Sequence, residues 1–287
     1  MKVVIFTYDR YKTATTPNIV EESGLDYLVV CHSEEMRKKY ISTGVVCNSK
    51  KIIASGVSKG LASNRNWYIE NYLKDGEWCV MLVDDLINIT VLDDYEKYDS
   101  FDNPALPISI KNSTYWSRKM KKKIPFGKFY TYCEETRDKA ISQGISLAGF
   151  AAFTNPLFRN KKYKYNVLAD GRAWVFQKTE LRFDTNVQTI DDYCFSLQNI
   201  ERLSGVLVNQ WILPDCKRYS SGGYATKDER MEQRKKECAY IVSRFAGAVD
   251  YADKKGWEYG THIKIKNLNA SAMANFYMTQ KQRGFIK

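Results

Sequence analysis

The stretch WCVMLVDDL, at residues 78–86, decides how the fold is interpreted. Its apolar run is typical of a strand buried on both faces, and the run ends abruptly in Asp84 and Asp85. Strands of this kind belong to parallel sheets, which bind ligands at the carboxyl ends of their strands. Two adjacent carboxylates at such an end repel each other unless a cation lies between them. The stretch therefore predicts either a cation site or, as the alternative, a solvated acidic turn.

The residues before this strand alternate between strand and helix patterns. Short β-branched runs predict strands at 2–6, 26–31 and 51–54, and helical patterns lie at 33–42, where Ser33 is a suitable N-cap, and at 60–73. Strands that alternate with helices indicate an α/β fold with crossover connections. The first hundred residues are thus expected to form a Rossmann-type sheet flanked by helices.

The later part of the chain is less regular. Strands are predicted at 106–110 and 173–181, and helices at 134–143, at 189–203 with Thr189 as cap, and at 226–247. We find no internal repeat and no clear linker. The expected organisation is a single domain over 1–287, in which 1–100 binds a small ligand and 101–287 is an elaborated, basic acceptor-binding half.

Charge is distributed unevenly between these halves. The chain has 44 Lys and Arg against 33 Asp and Glu, but residues 1–100 hold 12 against 15, so the basic excess lies in 101–287. Basic residues there are interleaved with aromatic residues and glycines, a pattern that suits phosphates and bases, although a solvated basic face is the alternative. The predicted nucleic-acid-binding residues are Lys121, Lys122, Lys162, Tyr163, Arg218, Gly222 and Gly223.

The composition limits the metals and the compartment. With two histidines and no zinc-binding motif, a metal would depend on carboxylates, which favours Mg²⁺ or Mn²⁺. No apolar run is long enough for a transmembrane helix or a signal-peptide core, so a cytoplasmic protein without a membrane partner is expected.

Two further features carry charge in unusual places. Arg65 shares a helix face with apolar residues, so it requires an anionic partner, either a structural carboxylate or a ligand phosphate. Asp191 and Asp192 begin a predicted helix, where acids are favourable for structural reasons alone. The functional alternative is a general base beside an acceptor hydroxyl.

A competing motif is Gly56 to Gly60, which satisfies G-x-S-x-G with Ser58 between a strand and a helix. Followed by acids and His262, it has the order of an α/β-hydrolase nucleophile elbow. No glycine-rich oxyanion loop precedes it, and a serine hydrolase leaves Arg65 unexplained.

The order of motifs resembles the GT-A glycosyltransferases over roughly residues 1–205. The matching segments are TYDR at 7–10, GLASNRN at 60–66, Asp84-Asp85 and DDY at 191–193. More narrowly, with Ser196 and the SGG loop at 221–223, the chain resembles the TET-associated glycosyltransferases, many of them from bacteriophages. It departs from their pattern at Leu86, where a third acid is usual, and at Asp191, where glutamate is usual.

The resemblance implies a GT-A-like fold and a transferase of hexosyl or pentosyl groups. It further implies a UDP-sugar donor, Mg²⁺ or Mn²⁺, and a hydroxymethylcytosine or hydroxymethyluracil acceptor in double-stranded DNA, in the host cytoplasm for a phage enzyme. The donor-binding residues would be Thr7, Tyr8, Arg10, Glu34, Arg65, Asn66 and Asp84, the metal ligands Asp84, Asp85 and His262, and the base Asp192 or Asp191. A non-DNA acceptor and a non-catalytic nucleic-acid-binding protein are the alternatives.

Overall fold

The structure is a computed structural model that describes residues 1–46, 48–57, 60–105, 122–153, 159–202, 205–217, 226–252, 262–266 and 270–285. The helices are α1 (Thr16–Glu21), α2 (Glu34–Ser42), α3 (Leu61–Tyr72), α4 (Phe126–Ile141), α5 (Asp191–Glu201), α6 (Lys227–Arg244) and α7 (Ala270–Gln282). The strands are β1 (Lys2–Phe6), β2 (Tyr27–Cys31), β3 (Ile52–Ala54), β4 (Trp78–Val83), β5 (Leu86–Val91), β6 (Lys122–Ile124), β7 (Leu147–Phe150), β8 (Tyr163–Tyr165), β9 (Ala173–Gln177), β10 (Leu207–Asn209), β11 (Ile212–Cys216), β12 (Val249–Ala252) and β13 (His262–Ile265).

Eight of these strands form one mixed sheet in the order β3-β2-β1-β4-β9-β7-β10-β8. The first four are parallel, β9 runs antiparallel between β4 and β7, and β8 is antiparallel at the far edge. Strands β11, β5 and β6 form a second sheet, and β12 pairs with β13. The expected mixed α/β sheet is confirmed.

Helices cover both faces of the main sheet because its central strands are apolar on both sides. In β1, Val3 and Ile5 pack with residues of α1, α2 and α4, whereas Val4 and Phe6 pack with residues of α3, α5, α6 and α7. Successive side chains of a strand point to opposite faces, so a continuous apolar run yields two cores. This is the arrangement that the run at 78–86 predicted.

Most element boundaries follow from local signals. Strands β1 and β4 have their predicted limits, and the Ser33 hydroxyl accepts a hydrogen bond from the Met36 amide (3.2 Å), which confirms the cap of α2. The predicted cap of α5 is wrong, because the Thr189 hydroxyl donates to Glu237 (2.6 Å) and the helix begins at Asp191. The predicted strand at 106–110 lies outside the described residues.

Two other predicted elements have shifted limits. Helix α4 begins at Phe126 rather than at 134, and β9 ends at Gln177 rather than at 181.

Helix α6 begins with a capping box between Thr226 and Glu229. None of the helices within the described ranges is both long and apolar enough to cross a membrane.

Candidate active site

The strand order creates a ligand-binding position between β1 and β4. The helices that follow β1 and β2 pack on one face of the sheet, whereas the helix that follows β3 packs on the other. The chain therefore reverses its winding between β1 and β4, and ligands bind outside the carboxyl ends of strands at such a switch point. Residues 7–10 follow β1 there, and Asp84 and Asp85 follow β4.

Asp84 and Asp85 are buried, and both form an ion pair with the Arg10 guanidinium. Arg10 Nη1 lies 2.9 Å from Asp84 Oδ1 and 2.6 Å from Asp85 Oδ2. The two side chains are only 5% and 8% exposed, so an unpaired charge on either of them would be costly. Burial nevertheless raises the pKa of Asp85 to about 6, although Arg10 opposes the shift. The acids are therefore a buried ion-pair cluster with Arg10 and not a solvated turn, and a metal site at them remains a prediction.

Thr7 helps to position Asp84. It is buried, its hydroxyl donates to Asp84 Oδ2, and it also hydrogen-bonds the Tyr40 hydroxyl. Tyr40 in turn accepts the Arg10 backbone amide (2.9 Å). These two hydrogen bonds of the Thr7 hydroxyl are made within the protein, and its predicted role at the nucleotide remains a prediction.

The backbone of the acidic turn is also held firmly. The amides of Thr15 and Thr16, before and within the first turn of α1, donate to the Asp84 carbonyl at 2.8 and 3.1 Å. The Thr16 hydroxyl accepts the Leu86 amide (2.9 Å). Asp84 and Asp85 are thus fixed by secondary structure on both sides, which is the rigid support that a binding site needs.

Tyr8 and His32 lie at the ends of the adjacent strands β1 and β2. Their rings stack with centroids 4.7 Å apart and planes 26° from parallel, and both residues are partly exposed. Glu34 is exposed and pairs with Arg37 (2.7 Å) beside the edge strand β3. The roles predicted for Tyr8 and Glu34 remain predictions, and His32 is a neighbour that the sequence did not identify.

The second acidic pair divides into two different environments, of which Asp191 is the more buried. Arg65 Nη1 donates to Asp191 Oδ2, and the Arg65 side chain is 2% exposed. The guanidinium also lies over the Trp174 ring, 4.6 Å from its centroid. The partner of Arg65 is thus a structural carboxylate, and the role predicted for Arg65 at the diphosphate remains a prediction.

Asn66 has a structural role as well. Its side-chain nitrogen donates to the Phe183 carbonyl (2.9 Å), and its side-chain oxygen accepts the Phe183 amide (2.8 Å). Both ends of the amide are occupied by one backbone unit. The role predicted for Asn66 in donor binding remains a prediction.

Asp192 differs from its neighbour because it has no ion pair among the described residues. Its Oδ2 accepts the Gly171 amide (3.4 Å) and its Oδ1 accepts the Tyr193 amide (2.9 Å). Burial and the nearby charges of Asp170 and Asp191 raise its pKa to about 7. A partly exposed carboxylate with a pKa near neutrality is suited to act as a general base.

The loop before β9 links the two acidic pairs, and the sequence did not identify it. The Arg172 carbonyl accepts the Val83 amide (3.1 Å), so the loop lies beside the end of β4. Arg172 pairs with Asp170 (2.6 Å), and Gly171 contacts Asp192. The signal available was the string DGR before a predicted strand, but only the antiparallel β4–β9 register places it here.

The residues present fit a divalent metal only in part. Oxygens of Asp84 and Asp85 converge on one point, which Arg10 Nη1 occupies. A metal ion shared by two carboxylates requires oxygens that converge in this way. In the described part of the chain, however, no three His, Cys, Asp or Glu side chains form a ready metal cluster. Mg²⁺ or Mn²⁺ would therefore be held by these two carboxylates, with phosphate and water oxygens as the other ligands.

His262 does not join the acidic pair. Its Nε2 lies 3.4 Å from the Tyr193 hydroxyl, and its Nδ1 lies 3.2 Å from Arg234 Nη2. A guanidinium at one ring nitrogen opposes the approach of a metal cation. The structure does not bring His262 to Asp84 and Asp85, and its role as a metal ligand remains a prediction.

Two of the predicted DNA-binding residues are buried. The Lys162 ammonium donates to the carbonyls of Tyr98 and Asp99 (both 3.0 Å), and Tyr163 is 1% exposed, so their prediction as DNA contacts is wrong. Lys122 is exposed, and its prediction stands. Lys121, Arg218, Gly222, Gly223 and the alternative nucleophile Ser58 lie outside the described residues.

No protein-family model matches the chain, and no curated protein is significantly similar to it. Among solved structures, it is similar to glucosyl-3-phosphoglycerate synthase from Mycobacterium tuberculosis, crystallised with Mn²⁺, uridine diphosphate and phosphoglyceric acid. The two chains are 13% identical, and the superposition covers 93% of this chain and 87% of that chain with a TM-score of 0.44. A similarity of this extent indicates neither an activity nor a ligand.

Proposed function

We propose that the protein is a GT-A-type glycosyltransferase that moves a sugar from a nucleotide-sugar donor to a hydroxyl acceptor. The observation that carries the proposal is a continuous set of contacts among motifs that are far apart in the sequence. Arg10 joins Asp84 and Asp85, and the loop at 170–172 joins the end of β4 to Asp192. The paired acids after β4 are thus linked through this loop to the candidate base.

The donor is proposed to lie across the ends of β1 and β4. The Tyr8 and His32 rings offer a surface on which a nucleobase such as uracil can stack, and Arg10 suits the diphosphate. Asp84 and Asp85 would hold Mg²⁺ or Mn²⁺ at the diphosphate. Such an ion offsets the negative charge that develops on the departing nucleoside diphosphate.

The acceptor is proposed to lie next to Asp192. Its carboxylate would take the proton from the attacking hydroxyl, and direct attack on the donor sugar would invert the anomeric carbon. Asp191 is the less suitable base because Arg65 holds it in a buried ion pair. Asp191 would instead keep the first turn of α5, and with it Asp192, in place.

We further propose that the acceptor is a hydroxymethylated pyrimidine in double-stranded DNA. Support comes from the excess of Lys and Arg in residues 101–287. The Lys217 amide also donates to the Asp85 carbonyl (3.1 Å), so Lys217, the first residue of the basic string at 217–224, lies at the acidic turn. Extrusion of the base would cost a few kcal/mol, which contacts with aromatic side chains could offset.

The test is to incubate the protein with hydroxymethylated DNA and a panel of nucleotide sugars, and then to weigh the nucleosides after digestion. We expect the mass of one sugar to be added with a UDP-sugar, and the yield to fall steeply with salt because phosphate contacts release counterions. The Asp192→Asn variant, which keeps the shape of the side chain, should bind the same DNA without transfer.

The other classes of function predict different results. A non-catalytic nucleic-acid-binding protein gives no mass change with any donor, and a serine hydrolase is labelled at Ser58 by a fluorophosphonate without responding to nucleotide sugars. Transfer that is insensitive to salt would indicate a small, uncharged acceptor in place of DNA.

A further inference from the structure

We infer that Arg10 occupies the position of the divalent cation in the nucleotide-free protein, so that a metal ion enters the site only together with a nucleoside diphosphate. The inference rests on the proposed function for the identity of the nucleotide. It adds a role for Arg10 in making metal and nucleotide binding cooperative.

The geometry places a single nitrogen where a shared metal ion would lie. Arg10 Nη1 is 2.9 Å from Asp84 Oδ1 and 2.6 Å from Asp85 Oδ2, and both carboxylates are buried. A divalent ion bound by the same two oxygens would require this space. The guanidinium and the metal therefore exclude each other by volume and by like-charge repulsion.

Arg10 is placed so that it can leave. It lies on a loop, after Asp9, whose positive φ of 51° turns the chain back over the strand ends. Its side chain is 17% exposed, and its buried Nε has no hydrogen-bond partner. In the described part of the chain, its ion pairs are both made through Nη1, so one rotation of the guanidinium frees both acids.

A diphosphate would give the Arg10 guanidinium new acceptors when it leaves the two carboxylates. The planar guanidinium binds two phosphate oxygens in a fork, which replaces the two carboxylates that it releases. The freed carboxylates then attract the metal ion, which the phosphates also bind. Because such coupling is reciprocal, nucleotide must strengthen metal binding by the same factor by which metal strengthens nucleotide binding.

The experiment titrates Mn²⁺ into the full-length protein and follows free Mn²⁺ by its electron paramagnetic resonance signal, with and without UDP. For the wild type we expect weak binding without UDP and an affinity on the order of 10-fold to 100-fold higher with it. Arg10→Gln should bind Mn²⁺ on the order of 10-fold more tightly than the wild type without UDP, and UDP should add less. Arg10→Lys, which keeps the charge but not the fork, should keep the weak Mn²⁺ binding without UDP and gain less from UDP than the wild type.

Equal Mn²⁺ affinities of wild type and Arg10→Gln would overturn the inference, as would wild-type binding that does not respond to UDP. Circular dichroism checks that each variant is folded, and Arg10→Met is titrated in the same way if Arg10→Gln does not fold. Asp85→Asn should lose Mn²⁺ binding, which locates the ion. Because the comparison without UDP needs no turnover, absence of sugar transfer would count against the proposed function alone.

Discussion

Replacing Asp192 by asparagine should stabilise the fold at neutral and alkaline pH while it abolishes transfer. The carboxylate is partly buried, and its pKa is raised to about 7 by burial first and by the charges of Asp170 and Asp191 second. Asparagine removes the charge, and its single amide oxygen can still accept one of the two amides, of Gly171 or Tyr193, that the carboxylate accepts. A residue that is kept at a cost in stability is expected where function needs it.

The magnitude follows from the difference in pKa between the folded and unfolded chain. A rise from 3.8 to about 7 corresponds to about 4 kcal/mol, and partial exposure to water reduces this to about 2–4 kcal/mol. Between about pH 4 and pH 7 the unfolded chain has lost this proton while the folded chain keeps it, so wild-type stability falls as pH rises through that window. The advantage of Asp192→Asn is therefore small near pH 4 and full above pH 7.

The assay is urea unfolding of wild type and variant at pH 4.5 and pH 8, where the variant should gain about 2–4 kcal/mol relative to wild type only at the higher pH. The control is Asp191→Asn, which leaves buried Arg65 without its carboxylate and should destabilise by about 3–5 kcal/mol. A variant of Asp192 that gains nothing at pH 8, or gains equally at both pH values, would refute the raised pKa. The wild-type kcat/KM should accordingly rise with pH through about 7.

Two further substitutions test the site and the basic half. In Gly171→Ala, the new Cβ would lie 3.3 Å from the Asp192 Cβ and would displace that side chain. We therefore expect steady-state kinetics to show a lower kcat with an unchanged KM for the donor. An unchanged kcat would show that Asp192 need not be held this closely. Lys162→Met should lower the free energy of unfolding by about 1–3 kcal/mol without weakening DNA binding, because the ammonium satisfies buried carbonyls. Lys122→Ala should weaken DNA binding in a filter-binding assay and leave the free energy of unfolding unchanged. Weaker DNA binding by Lys162→Met, or a loss of stability in Lys122→Ala, would contradict these assignments.

The sequence alone determined the elements whose signals are local. The apolar run at 78–83 predicted strand β4, and Ser33 predicted the start of α2. These predictions succeed because side-chain alternation and helix capping depend on residues within a few positions of one another. The limits of α5 were less accurate, since the hydroxyl of Thr189 found a partner on another helix.

Only the tertiary structure decided which charges meet. Arg65 and Asp191 are 126 positions apart, and Arg10 and Asp84 are 74 apart, so no local pattern distinguishes an ion pair within the protein from a ligand contact. The charge of Lys162 predicts a surface position, yet the side chain is buried and its ammonium donates to a backbone carbonyl. The free energy of a charge depends on its neighbours and on its access to water, and the fold sets both by bringing distant segments together.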